Sequence, residues 1–230
     1  MVEQLVVCRG IRNVLQHLSS SGLESEETSG GYVLYNEKGD KVLKLILPPI
    51  YPEHSGRGFQ SFIENLDVPV NDVMIVLIQS GEACLARVID GEIVQYKRIR
   101  KYMVRKSQGK SQIKHLKTKG KSRAGSRIRL AQTLSFFEEI NTHLDRWFEE
   151  SSPERIIYYV PKLLQNLWFD SKVKVPFELD EPMLRKVHWT IRKPDKDEII
   201  RSIRHMKCLW MSIFDVGLSE EIKHIIEESK

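Results

Sequence analysis

The sequence has few cysteines and no apolar run long enough to cross a bilayer. Cys8, Cys84 and Cys208 are far apart and show neither a CxxC pair nor a Cys/His ligand spacing. We therefore expect reduced, mostly buried thiols and no metal site. The longest apolar runs, residues 73–78 and 156–160, are much shorter than a membrane span. The N-terminus also lacks the apolar core of a secretion signal, so we expect a cytoplasmic protein with no membrane partner.

Acidic residues are absent between Glu92 and Glu138, and cations concentrate in the same part of the chain. Of the 36 lysines and arginines, fourteen lie within residues 97–129. The rest of the chain holds 22 basic and 31 acidic residues, so this segment supplies all of the net charge of +5. Charge concentrated in this way predicts a phosphate-rich partner.

Residues 1–70 are predicted to form an N-terminal extension made of a helix and a β-hairpin. Apolar residues at near-helical spacing predict a helix over residues 2–18, and a Ser/Glu/Gly-rich stretch predicts a loop over 19–31. Two short apolar segments, 32–35 and 41–47, flank a Lys-Gly-Asp turn and predict the hairpin.

Residues 71–216 are predicted to form the main domain, followed by a short C-terminal helix over 217–230. Strands are expected over 73–78, 83–89, 92–104, 155–160 and 187–191, and helices over 128–148, 162–169 and 195–214. The resulting order, β-β-β-α-β-α-β-α, is that of an α/β protein with an RNase H-like mixed sheet.

The segment between the third strand and the long helix is a basic loop over residues 105–127, RKSQGKSQIKHLKTKGKSRAGSR. Its composition prevents it from folding on itself without neutralisation, which fits either a phosphate track or a solvated, disordered connection. His115 is either a general base or one more polar residue of a mobile loop.

Two other catalytic constellations find little support. A metal-dependent nuclease needs converging carboxylates, but Asp72 stands at the start of a strand, Asp90 stands in a turn, and the strand 73–78 has no acid. No GxSxG elbow supports a nucleophilic triad. We expect no metal and no cofactor.

The loop contains two linked motifs that carry a resemblance. QGKSQ lies at residues 108–112, and a second small-residue motif, KSRAGSR, follows at 121–127. A glutamine after small residues, in a basic strand-to-helix loop, resembles the Gly-Gly-Gln loop in the middle domain of eukaryotic and archaeal class I peptide-release factors. Residues 102–129 more closely resemble the Vms-like release-factor family, the peptidyl-tRNA hydrolases of ribosome-associated quality control. The matching residues are Val104, Arg105, Gln108, Gly109, Ser111, Gln112, Lys121, Ser122, Arg123, Ala124, Gly125 and Arg129.

The resemblance implies a metal-independent peptidyl-tRNA hydrolase with a release-factor middle-domain type of fold, acting on stalled large ribosomal subunits. Gln112 would be the central catalytic residue, with Ser111 and Gly109 beside it and with Gln108 and Gly125 supporting the motifs. Lys110 and Ser111 stand where the release-factor signature has its two glycines. The cations expected to contact tRNA or ribosomal RNA are Arg105, Lys106, Lys110, Lys114, Lys117, Lys119, Lys121, Arg123, Arg127 and Arg129.

Three alternatives stay open at this point. The same loop could anchor a non-catalytic protein to the ribosome or to structured RNA. It could instead cut the tRNA 3′ end by phosphodiester cleavage, as some relatives in the family are linked to doing. The third alternative is a metal-dependent nuclease.

Overall fold

A computed structural model describes residues 2–28, 30–51, 58–64, 69–101 and 121–228, and for 121–131 it describes the backbone alone. These residues form a mixed α/β protein with two five-stranded sheets and six helices. The chain divides into two units, one of Met1–Val70 with Arg201–Lys230 and one of Asn71–Ile200. None of the described helices has the length and apolar character needed to cross a membrane.

The first unit has an antiparallel sheet in the order β1-β10-β4-β3-β2. Helices pack on one face of it, where the unit's apolar core lies. The elements are β1 (Glu3–Val7), α1 (Ile11–Ser20), β2 (Glu24–Thr28), β3 (Gly31–Tyr35), β4 (Lys41–Ile46), α2 (Gly58–Glu64), β10 (Leu209–Ile213) and α6 (Val216–Glu228).

The predicted hairpin is confirmed as β3 and β4. Asn36 organises its turn, because its side-chain Oδ1 accepts hydrogen bonds from the backbone N–H groups of Lys38 at 3.0 Å and Asp40 at 2.9 Å. Gly39 takes a φ of 80° there, a conformation that suits glycine. At Gly31 a side chain is excluded for another reason: a Cβ would stand 2.0 Å from the backbone oxygen of Leu45 in the paired strand.

Three predictions for the first unit are wrong. Residues 2–18 form a strand and then a helix, and the loop predicted over 19–31 contains β2. The helix predicted over 195–214 ends at His205, and β10 follows. For β1 and β10 the cause is strand pairing over a long sequence distance: Leu5 lies opposite Met211 and Val7 opposite Leu209, so apolar residues at every second position face the core. β2 pairs instead with β3, the next strand in the chain.

The second unit has a mixed sheet in the order β7-β6-β5-β8-β9. β5, β6 and β7 are antiparallel neighbours, whereas β5 pairs with β8 and β8 with β9 in parallel. The elements are β5 (Asp72–Gln79), β6 (Glu82–Ile89), β7 (Glu92–Arg100), α3 (Lys121–Glu150), β8 (Arg155–Tyr159), α4 (Lys162–Phe169), β9 (Leu184–Lys186) and α5 (Lys196–His205), whose last five residues belong to the first unit.

Several predicted boundaries shift in the second unit. The long helix begins at Lys121, so the last seven residues of the predicted loop 105–127 are helical. The strand predicted over 187–191 lies at 184–186 instead, where Leu184 joins the buried cluster. The predicted main domain, 71–216, extends beyond the unit Asn71–Ile200, because β10 pairs with β1 and β4 of the other sheet.

Cys8 and Cys208 form a disulfide with an S–S distance of 2.08 Å. The antiparallel ladder of β1 and β10 pairs Val7 with Leu209. Cys8, which follows Val7, therefore lies beside Cys208, which precedes Leu209. The prediction of three reduced thiols is therefore wrong for this pair. Cys84 is free and buried.

Helix α3 packs on the second sheet through a row of buried apolar side chains, Phe136, Phe137, Ile140, Leu144 and Trp147. A buried amide interrupts this row. The Asn141 Oδ1 accepts a hydrogen bond from the Trp168 indole N–H at 2.8 Å, while its Nδ2 donates to the backbone oxygens of Trp168 at 3.1 Å and Val173 at 2.7 Å. Asn141 thus joins α3 to α4 and to the segment that follows it.

The C-terminal end of α3 is held by a buried guanidinium. Arg87 of β6 makes a two-point ion pair with Asp72 of β5, with an Nε to Oδ1 distance of 2.9 Å. It also donates to the backbone oxygens of Trp147 at 3.3 Å and Ser151 at 2.5 Å. The Trp147 oxygen lies in the last turn of the helix and also accepts the Ser151 backbone N–H at 3.2 Å, while Ser151 is the first residue after the helix. Arg87 therefore fixes the helix end to the sheet.

The disulfide predicts a specific thiol count. Protein unfolded in guanidinium without reductant should expose one reactive thiol per chain, that of Cys84, and reductant should raise the count to three. The Cys84→Ala variant should show none without reductant. Three reactive thiols in unreduced wild-type protein would contradict the pairing.

The Asn141→Leu substitution should lower the free energy of unfolding by about 2–4 kcal/mol, because it leaves the Trp168 indole N–H and two backbone oxygens buried without partners. Thr142→Ala, one residue away on the same helix, is the matched control. Thr142 is exposed and its hydroxyl donates to the Glu138 oxygen of its own helix, so the effect should stay within about 0.5 kcal/mol. Urea unfolding of both variants measures the difference, and equal effects would show that the amide contributes nothing special.

The Asp72→Asn substitution should lower the free energy of unfolding by about 2–3 kcal/mol, because it leaves the buried charge of Arg87 without its counterion. Asp90→Asn removes the same charge in the turn between β6 and β7. Asp90 has a φ of 51°, which asparagine tolerates well, so this control should unfold like the wild type. A small and equal effect of both changes in urea unfolding would contradict the role given to the ion pair.

Candidate nucleic-acid interface

The end of β7 and the start of α3 flank the predicted loop. Lys101 follows β7 directly, and its backbone N–H donates to the Gly81 oxygen at 2.9 Å. Its Nζ donates to the backbone oxygen of Ser135 at 3.0 Å and to the Ser135 hydroxyl at 2.7 Å, and it lies 2.8 Å from a carboxylate oxygen of Glu139. Lys101 therefore fastens the strand to the helix, and its charge is neutralised by Glu139.

The outer face of β7 carries two arginines. Glu82, on the neighbouring strand, lies 3.5 Å from Arg98 and 3.4 Å from Arg100. One carboxylate thus lies within ion-pair distance of two guanidinium groups. The Arg100 side chain is 54% exposed, so it stays available to an anion from solvent.

Beneath these arginines the only free cysteine among the described residues is inert. Burial raises the pKa of the Cys84 thiol to about 11, while a hydrogen bond with Tyr96 and the charge of Arg98 act in the opposite direction. The thiol is therefore protonated at neutral pH, and only the thiolate is a good nucleophile. Burial also raises the pKa of the Tyr96 hydroxyl, so that group is equally unsuited to act as a base.

On the inner side of β7, cations gather around His143 of α3. Burial lowers the pKa of its imidazole, and the nearby charges of Lys97 and Arg146 lower it further, against an opposing effect of Glu139. Lys97 and His143 are half-buried and Arg146 is exposed. His143 is therefore neutral at physiological pH in a positive local field.

The two carboxylates considered for a metal-dependent nuclease lie near each other, since the Asp90 backbone N–H donates to the Asn71 oxygen at 3.0 Å, but they are used differently. Asp72 is engaged by Arg87, and Asp90 lies in the turn after β6. Within the described ranges no group of three or more His, Cys, Asp or Glu side chains has the arrangement to hold a metal ion.

Most of the site residues expected from the sequence lie outside the described residues. This applies to the catalytic candidates Gly109, Ser111 and Gln112, to Gln108 and His115, and to the cations Arg105, Lys106, Lys110, Lys114, Lys117 and Lys119. The remaining five lie in the first turns of α3, where the backbone alone is described: Lys121, Arg123, Gly125, Arg127 and Arg129.

Sequence reasoning missed the residues that hold β7 and α3 in place, Lys101, Asn141 and Arg87. Lys101 counts as one more cation of the basic segment until its contacts with α3 are seen. Asn141 did leave a signal, since it is a polar residue within the apolar face of a long helix. Arg87 left a weaker one, a single charge within the strand 83–89. Neither sequence pattern shows which residues Asn141 and Arg87 contact.

A family model described as the Bacteroidetes VLRF1 release factor matches residues 73–212. The match begins in β5, ends in β10 and includes both ends of the loop. Among solved structures, one described as the Vms1 mitochondrial localization core is similar to this chain, with 10% sequence identity, 86% of this chain and 79% of that chain covered, and a TM-score of 0.41. No curated protein matches. Because the family model spans more than half of the 230 residues, the chain belongs to the Vms-like release factors described as the Bacteroidetes VLRF1 release factor family.

Proposed function

We propose that this release-factor-like protein frees nascent chains from stalled large ribosomal subunits by hydrolysing peptidyl-tRNA, with Gln112 as the central residue. The observation that carries the proposal is the family match over residues 73–212. The loop with its QGKSQ and KSRAGSR motifs lies inside the matched range, between β7 and the body of α3.

The topology of the second unit supports an RNase H-like arrangement of the release-factor middle-domain type. Three antiparallel strands, β5 to β7, are followed by the parallel strands β8 and β9, with helices between them. In this arrangement the loop is the connection from the edge strand β7 to α3. An edge position leaves such a loop room to reach a large partner.

The chemistry proposed for Gln112 follows from the properties of an amide. Ester hydrolysis needs a positioned water molecule and donors for the oxyanion that forms. A glutamine side chain does not titrate, so it orients the water and polarises the carbonyl group without taking the proton. Ser111 next to Gln112 and Gly109 three residues before it are small, which allows the backbone to approach the tRNA end closely.

Polar contacts hold β7 and α3, the elements on either side of the loop. They support a catalytic role for the loop, because catalytic groups need supports that are themselves fixed. Lys101 holds the strand end to α3, Asn141 holds the middle of α3 to α4, and Arg87 holds its C-terminal end to the sheet. The basic residues of the loop contribute the phosphate contacts that bring RNA to β7 and α3.

One observation favours a second candidate, a non-catalytic binder of the ribosome or of structured RNA. Lys110 and Ser111 replace the two glycines of the release-factor signature, and a lysine reaches the special backbone conformations of glycine only at a cost. The basic loop alone suffices for binding. Cleavage of the tRNA 3′ end is a further outcome that product analysis distinguishes.

The test uses large ribosomal subunits that carry labelled peptidyl-tRNA. Wild-type protein is expected to produce free peptide and intact tRNA, and Gln112→Ala should slow release by about 100-fold or more, the effect typical of losing an oxyanion or positioning donor. A gel that resolves both peptide and tRNA ends measures the products.

Gln165→Ala, in α4 and outside the loop sequence, is the matched control and should release peptide at the wild-type rate. Full release by Gln112→Ala would remove the catalytic role of this residue. Shortened tRNA still joined to peptide would instead identify a tRNA nuclease. Stable binding without any cleavage would favour the binding protein.

A further inference from the structure

A stripe of α3 runs along the inner side of β7. Ser135, Glu139, His143, Arg146 and Glu150 recur every three or four residues and so share one side of the helix. On the strand, alternate residues from Gln95 to Lys101 point toward the helix. Contacts at both ends fix this alignment.

At both ends of the stripe, a glutamate of α3 contacts a polar or charged side chain from the β7 side. The Gln95 Nε2 donates to a carboxylate oxygen of Glu150 at 2.6 Å, and Lys101 lies 2.8 Å from Glu139. Each carboxylate of the stripe therefore already has a partner from β7.

The middle of the stripe is different, because Lys97 of β7 and His143 and Arg146 of α3 lie there, between the two contacts that fix the alignment. Among the described residues, no carboxylate forms an ion pair with Lys97 or Arg146. The imidazole of His143 lies in their field, and burial together with those two cations lowers its pKa, with Glu139 alone acting in the opposite direction. Cations gathered without counterions repel one another, and an anion between them relieves that repulsion.

We propose that Lys97, His143 and Arg146 form a phosphate site for the RNA backbone, which continues the contact made by the basic loop. This inference rests on the proposed function, since it assumes that RNA reaches the loop. Lys97 lies four residues before Lys101 on the same strand, about 13 Å away at the usual rise per residue. It is also the first cation of the acid-free segment. An RNA strand that contacts the loop can therefore continue along β7 and α3 to this site.

The first test measures binding as a function of salt. The double variant Lys97→Gln/Arg146→Gln is compared with Lys162→Gln/Lys172→Gln, which removes two exposed charges elsewhere in the second unit. Labelled deacylated tRNA and isolated large ribosomal subunits are the two probes. Loss of two phosphate contacts should reduce the slope of log K against log salt by about 1–2, since each contact contributes roughly 0.7–0.9. The control pair should keep the wild-type slope.

The second test reads His143 directly. The pKa of its imidazole, measured by NMR in the wild-type protein, should rise when tRNA is added, because a phosphate favours the protonated ring. His143→Gln identifies the resonance. Circular dichroism melts of all variants establish that they are folded.

A reduced slope with tRNA assigns the phosphate to tRNA, and a reduced slope with subunits alone assigns it to ribosomal RNA; either outcome supports the site. Equal slopes for the two double variants with both probes, together with an unchanged His143 pKa, would overturn it. Wild-type protein that binds in this way but releases no peptide would contradict the hydrolase proposal and leave the site intact.

Discussion

The second unit depends on the buried guanidinium of Arg87. Three elements meet at this group: it pairs with Asp72 of β5, it belongs to β6, and it satisfies backbone oxygens at the end of α3. A buried charge is costly unless it is paired and hydrogen-bonded, so Arg87 is compatible with one arrangement of these elements. Glu154 reinforces the same corner. Its carboxylate accepts the backbone N–H groups of Asn71 and Asp72, and these bonds lower its pKa.

From this corner, polar contacts continue along α3 as far back as Ser135. Asn141, about one third of the helix length before the C-terminal end of α3, also joins the helix to its neighbours. Its amide is neutral, and its donors and acceptor are all hydrogen-bonded. Lys101, directly after β7, contacts Ser135 and Glu139 of α3 and so joins the strand to the helix. Polar contacts at three levels, with apolar packing between them, give the helix a fixed rotation and a fixed translation relative to the sheet. Apolar contacts alone are less specific about either.

The sequence predicts the second unit better than the first, and the reason is the separation of paired residues. β5, β6 and β7 follow one another through tight turns such as that at Asp90 and Gly91, so their pairing has local signals. In contrast, β1 finds its partner β10 about 200 residues later, and the Cys8–Cys208 disulfide has a sequence separation of 200. No local pattern shows such pairing, although Leu209, Met211 and Ile213 do alternate as a strand requires.

Sequence reasoning can propose the candidate site from its motif and its charge, because both lie in consecutive residues. It cannot find the contacts that hold β7 and α3, because each joins residues far apart in the chain. Asn141 and Trp168 illustrate this limit. A buried asparagine can be recognised by its place among apolar residues, but the tryptophan that supplies its donor lies on another helix.

Charge separates the two units as clearly as topology does. Residues 71–200 hold 25 lysines and arginines against 17 aspartates and glutamates, whereas the rest of the chain holds 11 against 14. The edge strand β2, with the sequence ESEET, has three glutamates. Negative charge along an open edge discourages pairing with another strand, and it also repels phosphate. The contacts proposed for RNA therefore belong to the second unit, where Lys97, His143 and Arg146 extend them beyond the loop.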